Sequence, residues 1–251
     1  MKNFILFLLS IKCIAGVARD NPVVSTPKGQ IRGLPAQDGD YDMFLGIPYA
    51  VVDEKNPFGA ATEHPAFNET FDAYQDGVQC IQENGNIVTG TIHCLQLNVY
   101  VPHSASPTNT LPVIFYIHGG AFIRGHKGLA NLSPRFLIRH DVIIVSINYR
   151  LGPYGFICIS EPGFNNQALN DQLIALKWVK DNIASFGGDV NNLTLMGQSA
   201  GAMSIDVLML VRKDLAQRII LHSGTALTTW LIITQNDTVP IKMAEALGFE
   251  G

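Results

Sequence analysis

The sequence predicts an α/β fold in which a mostly parallel central sheet carries helices on both faces. Two apolar runs, 113–117 and 141–147, are typical of strands that are buried on both sides of such a sheet. From residue 113 onward, predicted strands alternate with predicted helices, a pattern that favours parallel pairing. A further buried strand, 193–196, leads directly into Gly197-Gln-Ser-Ala-Gly201 and then into an apolar, helix-permissive segment. No linker divides the chain, so 19–251 is predicted to be one domain.

The composition is that of a globular chain with a sizeable core. Of the 251 residues, 47% are hydrophobic and 15% are charged. The formal net charge is −4 at pH 7, and no dense cluster of lysine and arginine is present. We therefore expect neither nucleic acid nor an anionic membrane surface as a partner. The sequence carries no prediction of the oligomeric state.

Residues 1–18 have the pattern of a secretory signal peptide. A lysine precedes an apolar stretch, 4–11, which is too short to span a bilayer, and small residues follow it. These small residues suit cleavage after Ala18, with cleavage after Ala15 or an uncleaved signal anchor as the alternatives. No later segment is long and apolar enough to cross a membrane. The mature product is therefore expected to be secreted and extracellular.

Three cysteines follow the predicted signal peptide. Cys80 and Cys94 flank a polar loop that is rich in glycine and asparagine, and this arrangement predicts a short disulfide loop. Such a bridge stabilises a protein by about 3 kcal/mol in the chain-entropy model. Cys158 lies within an apolar segment, 155–159, and is predicted to be a buried free thiol.

The glycosylation pattern Asn-x-Ser/Thr occurs at four positions. Asn68 and Asn236 have polar neighbours and are the predicted acceptors. Pro134, close after Asn131, should hinder modification of that residue. Asn192 adjoins a buried strand, and an unmodified loop residue is an equally good interpretation.

The elements before residue 113 are predicted to be short. Two strands, 28–33 and 41–45, flank the turn signal Asp38-Gly39. A long polar loop follows and extends to Cys80. The segment 97–101 alternates apolar and polar residues with a period of two, which predicts a half-buried strand.

The helices are predicted from capping residues and apolar periodicity. Ser133 and Pro134 indicate the N-cap and first residue of one helix. A longer helix over 169–186 ends at Gly187-Gly188. Its predicted apolar face consists of Leu169, Leu173, Leu176, Val179 and Ile183. The remaining predicted elements are a helix at 202–211, a strand at 218–221 that leads to His222, and a helix at 240–247.

The pentapeptide around Ser199 predicts a sharp turn that raises one hydroxyl above the sheet. At a helix N-terminus, backbone N–H groups and the helix dipole favour negative charge that develops there. A glycine-bounded turn with a capping serine is the alternative. A second glycine motif, His118-Gly-Gly-Ala121, follows an earlier buried strand. Its backbone N–H groups, with that of Ala200, are candidate donors to a substrate oxyanion.

Seven segments along the chain have the form of family motifs. They are Phe44-Leu-Gly-Ile-Pro-Tyr-Ala50, Cys94-Leu-Gln-Leu-Asn-Val-Tyr-Val-Pro102, His118-Gly-Gly-Ala-Phe122, Asn148-Tyr-Arg-Leu-Gly-Pro-Tyr-Gly-Phe156, Asp171-Gln-Leu-Ile-Ala-Leu-Lys-Trp-Val179, Phe186-Gly-Gly-Asp189 and Gly197-Gln-Ser-Ala-Gly201. Together they resemble the type-B carboxylesterases, which include the cholinesterases and insect esterases. Asn56-Pro-Phe-Gly59 and the form of the pentapeptide are most similar to insect esterases. The resemblance covers nearly all of residues 25–251.

The resemblance implies an α/β-hydrolase fold and a serine esterase activity on small apolar carboxylic esters, without a metal or cofactor. It implies that Ser199 is the nucleophile. It also implies that Gly119, Gly120 and Ala200 form the oxyanion hole.

The resemblance also implies two structural links. Cys80 and Cys94 correspond to the first disulfide of the family. Arg150 and Asp171 correspond to a buried salt bridge.

The chain departs from the family in its length. The order of the catalytic triad in this fold is serine, then an acid, then histidine, and the segments of the family that carry the last two are absent. We therefore expect an N-terminal part of a longer enzyme. The only histidine after Ser199 is His222, which is predicted to be a strand-end residue rather than the base. The alternative is a catalytically inactive binding protein, like the esterase-like adhesion proteins that have lost their triad.

Overall fold

A computed structural model describes residues 20–128, 133–158 and 166–228, together with Thr238 and Lys242. Several predictions lie outside the described residues. These are the signal peptide, the glycosylation patterns at Asn131 and Asn236, and nearly all of the helix at 240–247.

The strands and helices of the described residues are as follows, in chain order. The strands are β1 (Val23–Thr26), β2 (Gly29–Arg32), β3 (Leu34–Pro35), β4 (Tyr41–Pro48), β5 (Ala50–Val51), β6 (Thr62–Glu63), β7 (Phe71–Asp72), β8 (Gln82–Asn84), β9 (Ile87–Thr89), β10 (Gln96–Pro102), β11 (Leu111–Ile117), β12 (Ile143–Ile147), β13 (Gly188–Gln198) and β14 (Arg218–His222). The helices are α1 (Arg135–Ile138), α2 (Gly152–Phe156), α3 (Gln167–Asn182) and α4 (Ala200–Val211), and a 3-10 turn (Ile183–Phe186) follows α3.

The central sheet has seven strands in the order β14-β13-β11-β12-β10-β4-β3. Strands β11 to β14 run parallel to one another. Strands β10, β4 and β3 pair antiparallel. The parallel strands are joined by segments that contain helices, whereas shorter or irregular connections join the other three. The predicted α/β fold is confirmed, and the sheet is mixed, with parallel pairing confined to the strands after residue 111.

Both faces of the sheet carry helices. The main core includes α3, α4 and one face of the parallel strands, and it contains Val113, Phe115, Ile117, Ile143, Val145, Ile147, Leu193 and Leu195. The opposite face is covered by α1, and this second core contains Tyr41, Tyr100, Tyr116, Ile138 and Ile144. The predicted burial of β11 and β12 on both sides is therefore confirmed, because alternate residues of each strand enter different cores.

Strand β10 is more buried than its alternating pattern predicted. Asn98 has 0% of its surface exposed, and Tyr100 has 4%. The Asn98 carboxamide accepts a hydrogen bond from the Gly46 N–H (2.9 Å) and donates one to the Tyr100 hydroxyl (3.2 Å). Because the polar side chain finds partners inside the protein, it needs no water. The prediction of a half-buried strand was wrong for this reason.

Helix α3 presents a different face to the core from the one predicted. Leu169 and Leu173 are only half-buried, although Leu176 and Val179 are buried as expected. The most buried face instead includes small and polar residues, namely Ala168, Asp171, Gln172, Ala175 and Asn182. Polar residues can occupy this face because they have buried partners, such as the Ser204 hydroxyl that accepts from Gln172 (3.1 Å). Gly187 ends the 3-10 turn in a left-handed conformation (φ 79°), as its position predicted.

Helix α1 begins one residue later than predicted. Pro134 is its N-cap, and no side chain caps its first turn. The backbone carbonyl of Ser133 accepts a hydrogen bond from the Phe136 N–H (3.3 Å), so the serine lies just outside the helix. The predicted capping role of the Ser133 hydroxyl was therefore wrong.

The predicted Cys80–Cys94 disulfide is confirmed. It joins two buried residues that are separated by 14 positions in sequence. Cys158 is free, as predicted, but it is only half-buried. The difference arises because Cys158 follows the end of α2 and lies in a loop rather than within an element of the core.

The Arg150–Asp171 salt bridge, expected from the family resemblance, is confirmed and fully buried. The guanidinium donates to both carboxylate oxygens of Asp171, at 2.8 and 2.7 Å. Its remaining nitrogen donates to the carbonyl oxygens of Gly59 (2.6 Å) and Pro57 (3.1 Å). Arg150 therefore joins the long N-terminal loop and α3 to the segment that follows β12, with all its charge hydrogen-bonded inside the protein.

We expect Asp171→Asn to lower the free energy of unfolding by about 3–5 kcal/mol, because it leaves the Arg150 guanidinium buried without a counter-charge. The measurement is urea unfolding followed by circular dichroism. Asp72→Asn is the matched control, since it breaks an ion pair with Arg32 whose side chains are 39% and 50% exposed. This control should lower the free energy of unfolding by less than about 1 kcal/mol. Similar small decreases for both variants would contradict the assignment of Arg150–Asp171 as a buried, stabilising ion pair.

Candidate active site

Ser199 lies between the end of β13 and the start of α4, in the strand–turn–helix arrangement that the sequence predicted. Its backbone has φ 52° and ψ −121°, an uncommon conformation for a residue other than glycine. The Ser199 N–H donates to the His222 carbonyl (2.7 Å), and the Ser199 carbonyl accepts from the Met203 N–H (3.0 Å). The strained turn is thus held by β14 on one side and by the first turn of α4 on the other.

Glycine is required on both sides of this turn because the backbones are in direct contact. A Cβ atom on Gly201 would overlap the carbonyl oxygen of Ile117 and would lie 2.7 Å from that of His118. A Cβ atom on Gly197 would lie 2.5 Å from the carbonyl carbon of Gly201. The lack of a side chain at Gly201 therefore lets the start of α4 approach the end of β11, and the lack of one at Gly197 lets it approach β13.

The end of β11 brings the second glycine motif against Ser199. Strands β11 and β13 are parallel neighbours, and Ile117 pairs with Gly197. A Cβ atom on Gly119 would lie 3.1 Å from Ser199 Cβ and 2.6 Å from the Gln198 carbonyl oxygen. The backbone of Gly119 therefore packs directly on the serine turn, and there is no room for a larger residue.

The glycine loop, which we define as residues 118–125, has a strained backbone. Gly120 and Gly125 have φ values of 124° and 119°, and the non-glycine residues Ala121 and Phe122 have φ values of 54° and 64°. Such positive values at non-glycine residues cost of order 1–3 kcal/mol each, so they persist only where surrounding contacts hold the chain. One such contact is the hydrogen bond from the Gly152 N–H to the Phe122 carbonyl (2.8 Å).

His118 fixes the orientation of the peptide group between the two glycines. Its Nδ1 lies 2.8 Å from the Gly119 carbonyl oxygen, which assigns the ring proton to Nδ1. The ring stacks on Tyr149 with centroids 4.5 Å apart. In a planar trans peptide the C=O and N–H groups point in opposite directions. Holding the Gly119 carbonyl toward His118 therefore directs the Gly120 N–H away from the imidazole.

The His118 imidazole is neutral at neutral pH. Only 6% of the residue is exposed, and Nε2 has no hydrogen-bond partner in the part of the chain that the structure describes. Burial lowers the pKa of His118 from 6.5 to about 4, and the hydrogen bond to Gly119 opposes that shift only in part. A neutral ring with a fixed tautomer suits a structural role rather than proton transfer at Ser199.

No base contacts Ser199 among the described residues. The Ser199 hydroxyl makes no hydrogen bond with them, and the exposed side chain of His222 makes none to it. His222 contributes its backbone carbonyl instead, which agrees with the predicted strand-end residue. The nearby Asp206 carboxylate accepts hydrogen bonds from the Thr225 hydroxyl (2.9 Å) and the Ala226 N–H (2.8 Å). The described residues thus bring together the predicted nucleophile and glycine loop, without a base or an acid.

Sequence reasoning missed two residues near the glycine loop. Gln82 binds the loop, and Lys127 fixes the segment directly after it. Lys127 is 0% exposed, and its ammonium donates to the Asp76 backbone carbonyl (2.7 Å) and lies 3.1 Å from the Asp76 carboxylate. Burial lowers the pKa of Lys127, and Asp76 opposes the shift. Gln82 binds the backbone of Gly125. Neither position has a sequence signal, because lysine and glutamine in polar segments are typical of exposed loops.

The carboxylesterase family model matches residues 20–251. The chain belongs to the carboxylesterase family. Esterase B1 of Culex pipiens is 36% identical over 241 residues, a match that covers 91% of this chain and 44% of the relative. Juvenile hormone esterase of Tribolium castaneum is 36% identical, with 90% and 40% covered. Bile salt-activated lipase of Homo sapiens is 35% identical, with 97% and 34% covered. The resemblance to carboxylesterases, including insect esterases, is confirmed.

Two solved esterase structures share this fold. A PNB esterase superposes with a TM-score of 0.73 at 36% identity, covering 82% of this chain and 44% of the other. A thermophilic PNB esterase gives a TM-score of 0.78 at 32% identity, covering 92% and 50%. The α/β-hydrolase fold is thereby confirmed. The chain spans half or less of the length of these carboxylesterase relatives.

The described residues contain neither a candidate metal site nor a helix that could span a membrane. No group of three or more His, Cys, Asp or Glu side chains within them is arranged to hold a metal ion. None of the helices found there is long and apolar enough to cross a membrane.

We expect His118 to make the native state less stable as the pH is lowered from about 6.5 to about 4. The unfolded chain binds a proton with an ordinary His pKa of 6.5, whereas the native pKa is about 4. The unfolded state therefore binds more protons in this range, and native stability decreases as the pH falls, by up to about 3 kcal/mol. Urea unfolding at pH 7, 5.5 and 4 measures this loss.

His118→Gln should flatten the pH dependence of stability, because glutamine can bond to Gly119 but does not titrate. His140→Gln, at an exposed histidine, is the control and should follow the wild-type profile. Parallel profiles for the wild type and His118→Gln would show that His118 is not the titrating group.

Proposed function

We propose that this chain supplies the nucleophile and the oxyanion hole of a serine carboxylesterase. In this reaction the Ser199 oxygen attacks the carbonyl carbon of an ester, the alcohol leaves, and water then hydrolyses the acyl-enzyme. The observation that carries the proposal is the contact of Gly119 with the strained Ser199 turn at the start of α4. Membership of the carboxylesterase family supports it further.

The proposed oxyanion hole uses three backbone N–H groups, those of Gly119, Gly120 and Ala200. Ala200 is the first residue of α4, where an N–H group has no acceptor within the helix and the helix dipole favours negative charge. The N–H of Ser199 itself is excluded, because it already donates to His222. Each donor of this kind contributes about 3 kcal/mol to stabilisation of the transition state.

The proposed reaction also needs a general base and an acid to orient it. The described residues place neither beside Ser199, and a serine without a base is a weak nucleophile. The oxyanion hole and substrate binding alone leave a residual rate enhancement of about 10³–10⁴ over water. We propose that the complete enzyme contributes a histidine and an acid from sequence that follows the serine, in the order of this fold.

A binding protein without catalysis is the second candidate. The absence of a hydrogen-bonded base at Ser199 among the described residues favours it. Retention of the serine and of the glycines that pack against it favours the esterase. The two functions differ in whether an ester is turned over, so one experiment separates them.

We further propose that the enzyme is secreted after removal of residues 1–18 and acts on small apolar carboxylic esters without a metal or cofactor. The Cys80–Cys94 disulfide supports an oxidising compartment.

Asn68 is exposed and is a proposed glycosylation site, together with Asn236. The carboxamide oxygen of Asn192 accepts a hydrogen bond from Arg218, which favours its unmodified state.

We expect a fluorophosphonate probe to label the complete enzyme, called the wild type in these experiments, at Ser199. Its Ser199→Ala variant should stay unlabelled, because phosphonylation requires the serine oxygen that the proposed base activates. Peptide mass spectrometry identifies the labelled residue. Ser25→Ala, at an exposed serine in β1, is the matched control and should be labelled like the wild type. Absence of label from the wild type, or label retained in Ser199→Ala, would overturn the assignment of the nucleophile.

The same three proteins distinguish catalysis from binding. Hydrolysis of p-nitrophenyl acetate by the wild type should exceed the buffer rate. Ser199→Ala should lower that rate by several orders of magnitude, to the residual rate that the oxyanion hole and substrate binding supply. Such a result excludes the binding-only function. Equal rates in the wild type and Ser199→Ala would favour it.

A further inference from the structure

We propose that Gln82 is a positioning residue for the oxyanion hole, which it holds through the backbone of Gly125. This inference rests on the proposed function of Ser199 and the glycine loop. Gln82 touches neither Ser199 nor the proposed donors. It acts through a chain of contacts that runs from β8 to Gly119.

The carboxamide of Gln82 binds both backbone groups of one residue. Its Oε1 accepts a hydrogen bond from the Gly125 N–H (2.9 Å), and its Nε2 donates to the Gly125 carbonyl (3.1 Å). The same Nε2 also donates to the Cys80 carbonyl (3.0 Å). Two bonds to one residue fix its orientation as well as its position, as a neighbouring strand would. Gly125 therefore cannot rotate without breaking both bonds.

Gly125 in turn packs on the residues that orient the proposed donors. It has φ 119°, and a Cβ atom added to it would lie 2.5 Å from the Gly119 carbonyl oxygen and 2.8 Å from His118 Cε1. A rotation of Gly125 would therefore displace the carbonyl that His118 holds. Because this carbonyl and the Gly120 N–H belong to one rigid peptide group, that donor would move as well.

Gln82 is itself held rigidly, as a positioning residue must be. It begins β8, which pairs with β9 in a short hairpin where Gln82 lies opposite Thr89. The Cys80–Cys94 disulfide closes the loop that contains this hairpin. The glycine loop needs such an external support, because its strained residues Ala121 and Phe122 favour other conformations.

The experiment compares Gln82→Ala, Gln82→Glu and Glu83→Ala. The alanine variant removes all three side-chain bonds, and the glutamate variant keeps the acceptor but loses the amide donor. Glu83 is the exposed neighbour on the same hairpin, and its side chain makes no hydrogen bond or ion pair with the described residues, so its variant is the matched control. Thermal unfolding of each protein confirms that it is folded.

The first measurement is the kinetics of phosphonylation of Ser199 by the fluorophosphonate probe, separated into probe affinity (KI) and maximal rate (kinact). Misplaced donors weaken stabilisation of the reacting phosphonyl oxygen but leave binding of the probe nearly unchanged. We expect kinact to fall about tenfold or more in Gln82→Ala, and less in Gln82→Glu, with KI within about twofold. Glu83→Ala should match the wild type in both constants.

The second measurement is hydrogen exchange of the backbone amides, which does not depend on reaction at Ser199. We expect peptides that cover 118–125 to exchange about tenfold faster in Gln82→Ala, while peptides from β12 keep their protection. Faster exchange in the glycine loop alone supports positioning. Unchanged exchange there, or an equal loss of protection in β12, would overturn it, the latter because Gln82 would then act only on global stability.

The two proposals fail in different ways. If the wild type is labelled and Gln82→Ala reacts with the same kinact, the role of Gln82 is overturned and the nucleophile stands. If the wild type is not labelled, the proposed function fails, and hydrogen exchange alone then decides whether Gln82 holds the glycine loop.

Discussion

The architecture of the site depends on one steric constraint, the direct contact between the backbone of α4 and the end of β11. Gly201 packs on the carbonyl groups of Ile117 and His118, and Gly119 packs on Ser199. Side chains at the glycine positions would separate the two elements. Since the helix can approach so closely, the serine turn and the glycine loop share one small volume at the carboxyl ends of β11 and β13, where α/β sheets place their ligands.

The rest of the molecule holds these elements in strained conformations. Backbone angles that favour glycine occur at Ala121, Phe122 and Ser199. Hydrogen bonds from separate parts of the chain act on this region, including those of Gln82 and Tyr149. The energy that the strained residues cost is thus offset by contacts that lie outside the glycine loop. The site is built from backbone groups, and its surrounding side chains give those groups their direction.

The sequence predicted those features that depend on local pattern. Strand, turn and helix around Ser199 follow from an apolar run, two glycines and a helical segment, which are adjacent in the chain. The buried face of α3 could not be predicted in this way, because Asp171 pairs with a residue 21 positions away and Gln172 with one 32 positions away. The same holds for Gln82, which binds Gly125 across 43 positions. Hydropathy indicates whether a residue can be buried alone, but it carries no information on a distant polar partner.

Through the proposed role of Gln82, the geometry of the glycine loop depends on the redox conditions in which the protein folds. Its hairpin lies inside the ring that Cys80 and Cys94 close, and both cysteines are buried. Thiols stay reduced in the cytosol of most cells, so a bacterial cytoplasm does not supply this bridge, whereas a periplasm or a secretory host does. Because the folded protein shields the sulfur atoms, oxidation must accompany folding rather than follow it. The choice of expression host therefore decides whether the recombinant protein carries a closed hairpin.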